Sequence, residues 1–382
     1  MDNAASSLTP ETVLEKMLEF YRSYRANVER GVHRLSQKAT EEYEHARLKA
    51  SRFINAPADS RVVFTGNTTE SINLVANGLP WKRGDRVLTT LLEHHSNYIP
   101  WLRLRERFGV EVDVAKPTQE GILDGEAFQK AIRPGTKLVA VTHVSNVLGV
   151  TLPVREIAKI AHDHGAQLLV DGAQSVPRLK TDVQALRCDY LAFSGHKMLG
   201  PTGVGILYLS PSVLDQVEPL GIGGGSIEDV TVESYHLAKG VERFEAGTPP
   251  IGEAIGLAAA IDYLERLGLD QVEAHERALT ERLQKGLTEI PKVEVYGPHD
   301  PRKRVGIVPF NVAKLNPHDV ALALDVAANI MVRSGLHCAI PLARELLGRP
   351  QGSVRASLYI YNTREEVDKL IATATDLARS IA

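Results

Sequence analysis

Cysteine is scarce in this chain, with only Cys188 and Cys338 among 382 residues, far apart in sequence. Two distant cysteines argue against a disulfide framework and against a cysteine-based metal site, so each thiol has to be interpreted alone. Long apolar runs are missing too, and residues 1–10 lack the basic and apolar blocks of a signal peptide. We therefore expect no membrane segment, no metal site and a cytoplasmic location.

An excess of charge of either sign is also missing. The 44 basic and 47 acidic residues leave a net charge of -3, which gives no reason to expect nucleic acid or a membrane surface as a partner. No internal repeat or low-complexity tract interrupts the chain. The length favours two or three domains with a large core, so any binding has to come from local sites.

Short apolar runs alternate with helical patterns between Arg61 and Leu209. The runs are VVFTG, RVLTT, VEVDVA, KLVAVTHV, QLLVDGAQ, YLAFSG and GVGILYL. Residues 153–164 (PVREIAKIAHDH), followed by Gly165, have the spacing and the glycine stop of a crossover helix. This alternation predicts an α/β fold with a mostly parallel sheet of seven strands.

The rest of the chain predicts a second, smaller unit. Residues 212–250 are irregular and rich in glycine, and two long helices are predicted for residues 252–267 and 270–289. A shorter βα pattern then leads to a closing helix that starts at Arg364. Three segments are therefore expected: 1–30 as an N-terminal segment that packs with the small domain, 31–250 as the large domain, and 251–382 as a linker helix with a smaller α/β C-terminal domain.

Polar side chains follow the ends of the predicted strands, where ligands gather in open α/β sheets. They are Thr65 to Glu70, Glu93 to Asn97, Ser145 and Asn146, Asp171 to Gln174, and Ser194, His196 and Lys197. Each alone is a common structural feature, such as a capped helix or a hydrogen-bonded histidine. Together they supply a phosphate-binding turn, an aromatic ring for stacking, a carboxylate, amides and a lysine. Pyridoxal phosphate (PLP) requires this combination.

Eight stretches of the chain, taken in order, resemble one family. They are FTGNTTESINLVANGL, LEHHSNYIPW, THVSNVLG, VDGAQSVPR, SGHKMLGPTGVGILY, RFEAGTPP, RSGLHCAIPL and RASLYIYNTREEVD. Together they resemble the class V aminotransferases and, more narrowly, the group II, Suf-type cysteine desulfurases and selenocysteine lyases. The resemblance implies a homodimeric, PLP-dependent transferase of fold type I. It also implies that sulfur is taken from L-cysteine for iron-sulfur cluster assembly, leaving L-alanine.

The resemblance further implies roles for individual residues. Lys197 would bind the cofactor as a Schiff base, Asp171 would pair with its pyridine nitrogen, and His94 would stack on its ring. The residues beside its phenolic oxygen would be Gln174 and Asn146. The residues at its phosphate would be Thr68, Thr69, Ser194 and His196, joined by Thr248 from the other subunit. The residues around the substrate would be Arg355 at its carboxylate, together with Arg333, Asn146, His33 and Ala4. A structural role at a helix end is an equally good interpretation of His33.

Cys338 lies in SGLHCAIPL, a segment flanked by glycine and proline that predicts a loop. The resemblance implies that its thiolate attacks the sulfur of cofactor-bound cysteine and carries it as a persulfide, helped by positive charge from Arg333 or His337. Leu336 stands where many group II members have the first histidine of a GHHC sequence. Cys188, at the start of a predicted strand, is interpreted as a small buried residue.

Other functions stay open on the sequence alone. Selenocysteine lyase would use the same pocket, whereas aminotransfer or deamination by another class V enzyme has no need of a loop thiol. A non-catalytic scaffold of sulfur assembly fits poorly with Lys197, Asp171, His94 and Cys338 all in place. The expected partners are L-cysteine, a second subunit, and a sulfur-acceptor protein or an iron-sulfur assembly scaffold. Residues 221–240 are the expected docking region for that acceptor.

Overall fold

The structure of the protein, a computed structural model, describes residues 1–381. Its α-helices are α1 (Glu11–Glu19), α2 (Arg34–Phe53), α3 (Thr68–Gly78), α4 (Ile99–Phe108), α5 (Gly125–Ala131), α6 (Val154–Asp163), α7 (Val183–Leu186), α8 (Ile251–Leu267), α9 (Leu269–Thr288), α10 (Pro317–Ala328) and α11 (Arg364–Ser380). Its strands are β1 (Arg61–Thr65), β2 (Arg86–Thr90), β3 (Glu111–Ala115), β4 (Thr136–Thr142), β5 (Gln167–Asp171), β6 (Tyr190–Ser194), β7 (Gly205–Leu209), β8 (Ile227–Val230), β9 (Tyr235–Leu237), β10 (Val293–Val295), β11 (Ile307–Val312), β12 (Arg333–Gly335) and β13 (Ser353–Ser357). Among residues 1–381, none of the helices has the length and apolar character that crossing a membrane would require.

The first seven strands form one sheet in the order β1-β7-β6-β5-β4-β2-β3. The pairs from β3 through to β6 are all parallel, whereas β7 runs antiparallel to both β6 and β1. The predicted mostly parallel sheet of seven strands is therefore confirmed. Because parallel strands end at the same edge, the residues that follow β2, β4, β5 and β6 meet there.

Both faces of this sheet are covered, which explains why its strands are apolar at almost every position. In β6, Leu191 and Phe193 pack into a layer that includes α2, α6 and α8. Tyr190 and Ala192 point to the other face and pack with α3 and α4. This alternation follows from the two-residue period of a strand.

The C-terminal part forms a second sheet in the order β10-β11-β13-β12, with all pairs antiparallel. Helices α9, α10 and α11 contribute to the apolar core that covers it. The predicted smaller α/β unit is therefore present. Its register places Arg333 of β12 opposite Arg355 of β13.

The segment between the two sheets differs from the sequence expectation at one point. Residues 212–250 were expected to be irregular, yet β8 and β9 form an antiparallel hairpin there. Both strands are short and mostly exposed. A strand that buries neither face leaves no clear apolar alternation in its sequence, which is why the pattern did not indicate it.

The N-terminal residues run along the small sheet. Asp2 forms a parallel bridge with Ser357 at the end of β13, and Ala4 N donates a hydrogen bond to Ser357 Oγ at 2.9 Å. Helix α1 then packs against α8. The domain boundaries near residues 30 and 251 stay predictions, but the first residues do contact the C-terminal unit.

Candidate active site

A cavity of about 490 Å³ opens where the carboxyl edge of the large sheet meets the small domain. The predicted site residues on its walls are Ala4, Thr68, Thr69, His94, Asn146, Asp171, Gln174, Ser194, His196, Lys197, Arg333 and Arg355. Ala5, Asn67, Ser96 and His337 also line it. Residues from both ends of the chain are thus brought into one space.

Asp171 and Lys197 come from neighbouring strands in the middle of the sheet. Asp171 ends β5, and Lys197 closes a 3-10 turn directly after β6. The Asp171 carboxylate accepts a hydrogen bond from Ala173 N at 2.9 Å, and burial raises its pKa. Burial lowers the pKa of Lys197 to about 8, against the attraction of Asp171. An amine with such a pKa can exchange its proton near neutral pH.

The first turn of α3 forms one end of the cavity. Thr68 N and Thr68 Oγ1 lie 2.8 and 2.6 Å from Ser194 Oγ, and Thr69 Oγ1 lies 2.7 Å from Ser96 Oγ. This close approach requires Gly205 in β7, where a Cβ atom would lie 2.7 Å from the backbone just before α3. Hydroxyl groups and free N–H groups at a helix N-terminus form a site for a phosphate-like anion.

His94 follows β2 and lines the cavity, with its ring held in one tautomer. Its Nδ1 atom accepts a hydrogen bond from Ser96 N at 3.1 Å, so the proton of the neutral ring is on Nε2. Burial, reinforced by the positive charge of Lys197, lowers the pKa of His94 to about 3. His94 is therefore a neutral aromatic ring at working pH.

Glu93 lies directly before His94 and is fully enclosed by the protein. Its carboxylate accepts hydrogen bonds from Thr90 Oγ1 at 2.6 Å, Thr142 N at 3.0 Å and Asn97 Nδ2 at 2.6 Å. Burial raises the pKa of Glu93 to about 8. Through these bonds Glu93 ties the turn after β2 to the end of β4.

Arg355 is buried at the small-domain side of the cavity with part of its guanidinium group free. Its Nη1 donates to Asn146 O at 2.8 Å and its Nη2 donates to Asp2 Oδ1 at 3.0 Å. Its Nε has no partner among residues 1–381. With Arg333 opposite it, the site carries two positive charges suited to a carboxylate. Burial lowers the pKa of Arg355 to about 10, so it still carries its charge at neutral pH.

The segment that contains Cys338, here called the Cys338 loop (residues 335–341), has an unusual backbone. His337 and Cys338 both adopt left-handed conformations, with φ of +51° and +56°. Residues with side chains rarely adopt this region. Arg333 Nη2 lies 3.5 Å from Cys338 Sγ, so a guanidinium group is the nearest charged neighbour of the thiol along this loop. Cys338 is partly exposed, and its neighbours Arg333 and His337 line the cavity.

Two predicted site residues lie away from this cavity in the single chain. Thr248 lines a separate groove with residues 27–30 and Gly247. His33 is exposed and caps α2, with its Nδ1 accepting from Ser36 N at 3.3 Å. Their predicted functional roles stay predictions. Cys188 is buried in the core, and burial raises the pKa of its thiol.

Some residues that shape the site were not assigned a role from the sequence. Glu93, His95 and Ser96 lie within two residues of His94. The sequence indicated them only through their position directly after a predicted strand. Asp2 carries no local signal, because its contact with Arg355 spans 353 residues. Such a contact depends on how the chain termini pack.

Comparison with known proteins places the chain in a family. The class V aminotransferase model matches residues 1–370. This chain belongs to the class V aminotransferases. A similar protein, a probable cysteine desulfurase of Pyrococcus abyssi, is 50% identical over 383 residues, which cover 100% of this chain and 94% of the relative.

Solved structures of similar proteins agree with this class V assignment. The apo cysteine desulfurase of Thermococcus onnurineus NA1 superposes with a TM-score of 0.96 at 50% identity, covering 100% of this chain and 94% of the other. A C-DES variant with glycine covalently linked to its PLP cofactor superposes with a TM-score of 0.85 at 26% identity, covering 98% and 95%. The predicted transferase fold is therefore confirmed.

The cavity fits PLP, the cofactor carried by that last protein. Asp171, Lys197 and the first turn of α3 offer an acid, an amine and an anion site within one space. Asn146 Oδ1 and Gln174 Oε1 are buried without a hydrogen-bond partner among the described residues. Buried polar atoms are almost always paired, so these two oxygens indicate that a polar ligand completes the site.

Proposed function

We propose that this protein is a PLP-dependent cysteine desulfurase that converts L-cysteine to L-alanine and carries the sulfur as a persulfide on Cys338. The observation that carries this proposal is the position of Cys338 beside Arg333 and His337, two residues that line the cavity that also holds Asp171 and Lys197. Aminotransfer at such a site would need the lysine and the acid but no thiol. The cysteine desulfurases among the class V relatives support the same function.

The large domain would hold the cofactor. Lys197 would bind it covalently, Asp171 would keep a proton on its pyridine nitrogen, and His94 would stack on its ring. The remaining contacts are Gln174 and Asn146 near the phenolic oxygen, and Thr68, Thr69, Ser194 and His196 at the phosphate. When bound, PLP withdraws electrons from the carbon atoms of an attached amino acid.

The small domain and the N-terminus would hold the substrate. Arg355 would bind the carboxylate of L-cysteine, because its guanidinium group lines the cavity and its Nε has no hydrogen-bond partner among residues 1–381. Arg333 and Asn146 lie beside it, and Ala4 forms the wall where a larger side chain would reduce the space. The substrate sulfur would then face the Cys338 loop, whose neighbour Arg333 lines the same cavity.

Lys197 and Cys338 would perform the proton and sulfur steps. Lys197 Nζ accepts the proton from the α-carbon, which its lowered pKa permits. Cys338 Sγ, as a thiolate beside Arg333, then forms a bond to the substrate sulfur while the carbon-sulfur bond breaks. The electron pair of that bond stays with the β-carbon, which takes up the proton released when the Cys338 thiol ionised, and Lys197 returns the first proton to the α-carbon. The substrate sulfur keeps its own proton and becomes the outer sulfur of the persulfide. The products are L-alanine and a persulfide on Cys338.

The working form would be a homodimer in the cytoplasm. Thr248 lies outside the cavity of its own subunit, which fits a role at the phosphate of the other subunit. Two unpaired cysteines suit a reducing compartment. The persulfide sulfur would pass to an acceptor protein or an iron-sulfur assembly scaffold. The hairpin formed by β8 and β9 exposes Val230, Val232 and Tyr235 and lies in the expected docking region.

The test is product formation by the purified, PLP-loaded protein. With L-cysteine and a thiol reductant, the native protein should release sulfide and alanine in equal amounts. Cys338→Ala should release neither above background, whereas Cys188→Ala should match the native rate because Cys188 is far from the chemistry. If Cys338→Ala releases sulfide as fast as the native protein, the persulfide role of Cys338 is wrong.

A further inference from the structure

We infer that His95 is a positioning residue that fixes the Cys338 loop for sulfur transfer, an inference that rests on the proposed function. His95 directly follows His94 in the turn after β2, and it is not among the residues that form the cavity wall. It belongs to the large domain, whereas the Cys338 loop belongs to the C-terminal unit. Its contacts therefore cross from one domain to the other.

His95 holds the Cys338 loop at two points. Its backbone N donates a hydrogen bond to Cys338 O at 2.7 Å. Its side-chain Nε2 accepts a hydrogen bond from Ile340 N at 3.1 Å. A ring nitrogen that accepts cannot carry a proton, so the His95 ring is neutral with its proton on Nδ1. One residue thus fixes both ends of the segment 338–340.

The Cys338 loop needs such contacts because its backbone is unfavourable by itself. His337 and Cys338 are successive left-handed residues, and strained backbone of this kind persists only where its surroundings determine it. On the other side of the loop, Asn146 Nδ2 donates to His337 O at 2.8 Å, and His337 Nε2 lies 2.9 Å from Ser353 O. His95 supplies the matching contacts at Cys338 itself.

The same turn also carries His94, the residue proposed to stack on the cofactor. His94, His95 and Asn97 lie in one short turn, and Glu93 fixes it by accepting from Asn97 Nδ2 at 2.6 Å. The His94 ring and the His95 contacts that hold the Cys338 loop are therefore parts of one rigid turn. Through His95, the position of Cys338 Sγ is set relative to the cofactor site.

A matched pair of variants tests this inference in the PLP-loaded homodimer. His95→Gln keeps an acceptor oxygen at about the reach of Nε2, whereas His95→Asn carries the same amide at the shorter reach of Nδ1. Both keep the backbone bond to Cys338 O. We expect His95→Asn to slow persulfide formation on Cys338 by about five- to tenfold in a single turnover, the effect of losing one hydrogen bond. His95→Gln should stay within twofold of native.

Two further readouts separate positioning from a general structural defect. The spectral change of the cofactor when L-cysteine is added should be the same in both variants and in the native protein. Hydrogen exchange at residues 335–341, followed by mass spectrometry without cysteine, should be faster in His95→Asn and native-like in His95→Gln. This exchange measurement needs no turnover.

The possible results decide between the explanations. Equal persulfide rates and equal exchange in both variants would overturn the inference. A lost spectral change in both variants would overturn it too, because His95 would then act on the cofactor site. If the native protein itself forms no persulfide, the proposed function fails, and the exchange comparison alone decides whether His95 fixes the loop.

Discussion

The buried ion pair between Arg178 and Glu276 allows a quantitative prediction about how the two domains are joined. Arg178 follows the strand end that carries Asp171, and Glu276 lies on α9. Their side chains are 2% and 3% exposed, and Arg178 Nη1 donates to Glu276 Oε2 at 2.7 Å and to Leu358 O at 2.8 Å. The pair therefore links the large domain to the small one in a buried region.

The negative charge of Glu276 is removed first, and the positive charge of Arg178 is removed second. Glu276→Gln preserves the shape of the side chain but leaves the Arg178 guanidinium buried without a counter-ion, which should cost about 3–5 kcal/mol of unfolding free energy. In the double variant Arg178→Met/Glu276→Gln no charge is left, and the main loss is the partner of Leu358 O, about 1–3 kcal/mol. Arg178 Nε and Glu276 Oε1 already lack partners among residues 1–381, so little else is lost. The second substitution should therefore restore stability.

The assay is urea unfolding of the PLP-loaded protein at one fixed protein concentration, because the proposed dimerisation would make apparent stability depend on concentration. Far-ultraviolet circular dichroism would compare native, Arg178→Met, Glu276→Gln and the double variant. The order of stability should be native, double variant, then Glu276→Gln. A double variant that is less stable than Glu276→Gln would refute the reasoning, since the unpaired charge would then not be the main cost.

Two other predictions concern acid stability and substrate binding. Below pH 6.5 the free energy of unfolding should fall by about 1.4 kcal/mol per pH unit for each of His143 and His337, because the unfolded chain binds protons that the folded state does not. Both are buried with Nδ1 unpartnered among residues 1–381, and burial lowers their pKa to about 4 and about 3. Thermal unfolding between pH 7.5 and pH 5 measures this, and His143→Gln should give a shallower decline. Arg355→Lys should raise the KM for L-cysteine about 10- to 100-fold with a smaller change in kcat, measured by sulfide release, because an ammonium group cannot bind a carboxylate through two parallel bonds.

Each of these predictions has a contrary result. The sign of the histidine effect would be wrong if stability rose as the pH fell from 6.5 toward 4. A KM unchanged in Arg355→Lys, with kcat alone reduced, would place Arg355 in a role other than binding the substrate carboxylate.

The large sheet could be predicted from the sequence because its strands are buried on both faces. Each strand is then a short apolar run with a polar residue at its end, as at Asp171 after QLLV and Ser194 after YLAF. Parallel strands end at one edge, so the grouping of these polar residues followed from the strand pattern alone. Their individual roles came from the resemblance to a family and still await experiment.

Contacts that depend on packing between distant segments could not be predicted in this way. The pairing of Asp2 with Arg355 and the contact of His95 with Ile340 join residues more than 200 positions apart. No periodicity within either segment encodes such a contact, because it depends on how the domains dock. The left-handed backbone of His337 and Cys338 could not be predicted either, because neither residue is a glycine.

Asp171 and Lys197 lie at the ends of two neighbouring strands of the large sheet, whereas Cys338 lies in the C-terminal unit. Adjacent strands sit about 4.8 Å apart and scarcely change, so the spacing of acid and amine is built into the architecture. The position of the thiol, in contrast, depends on the contacts that His95 makes with the Cys338 loop across the two units. Substitutions at this contact should therefore alter sulfur transfer while the spacing of the acid and the amine stays the same.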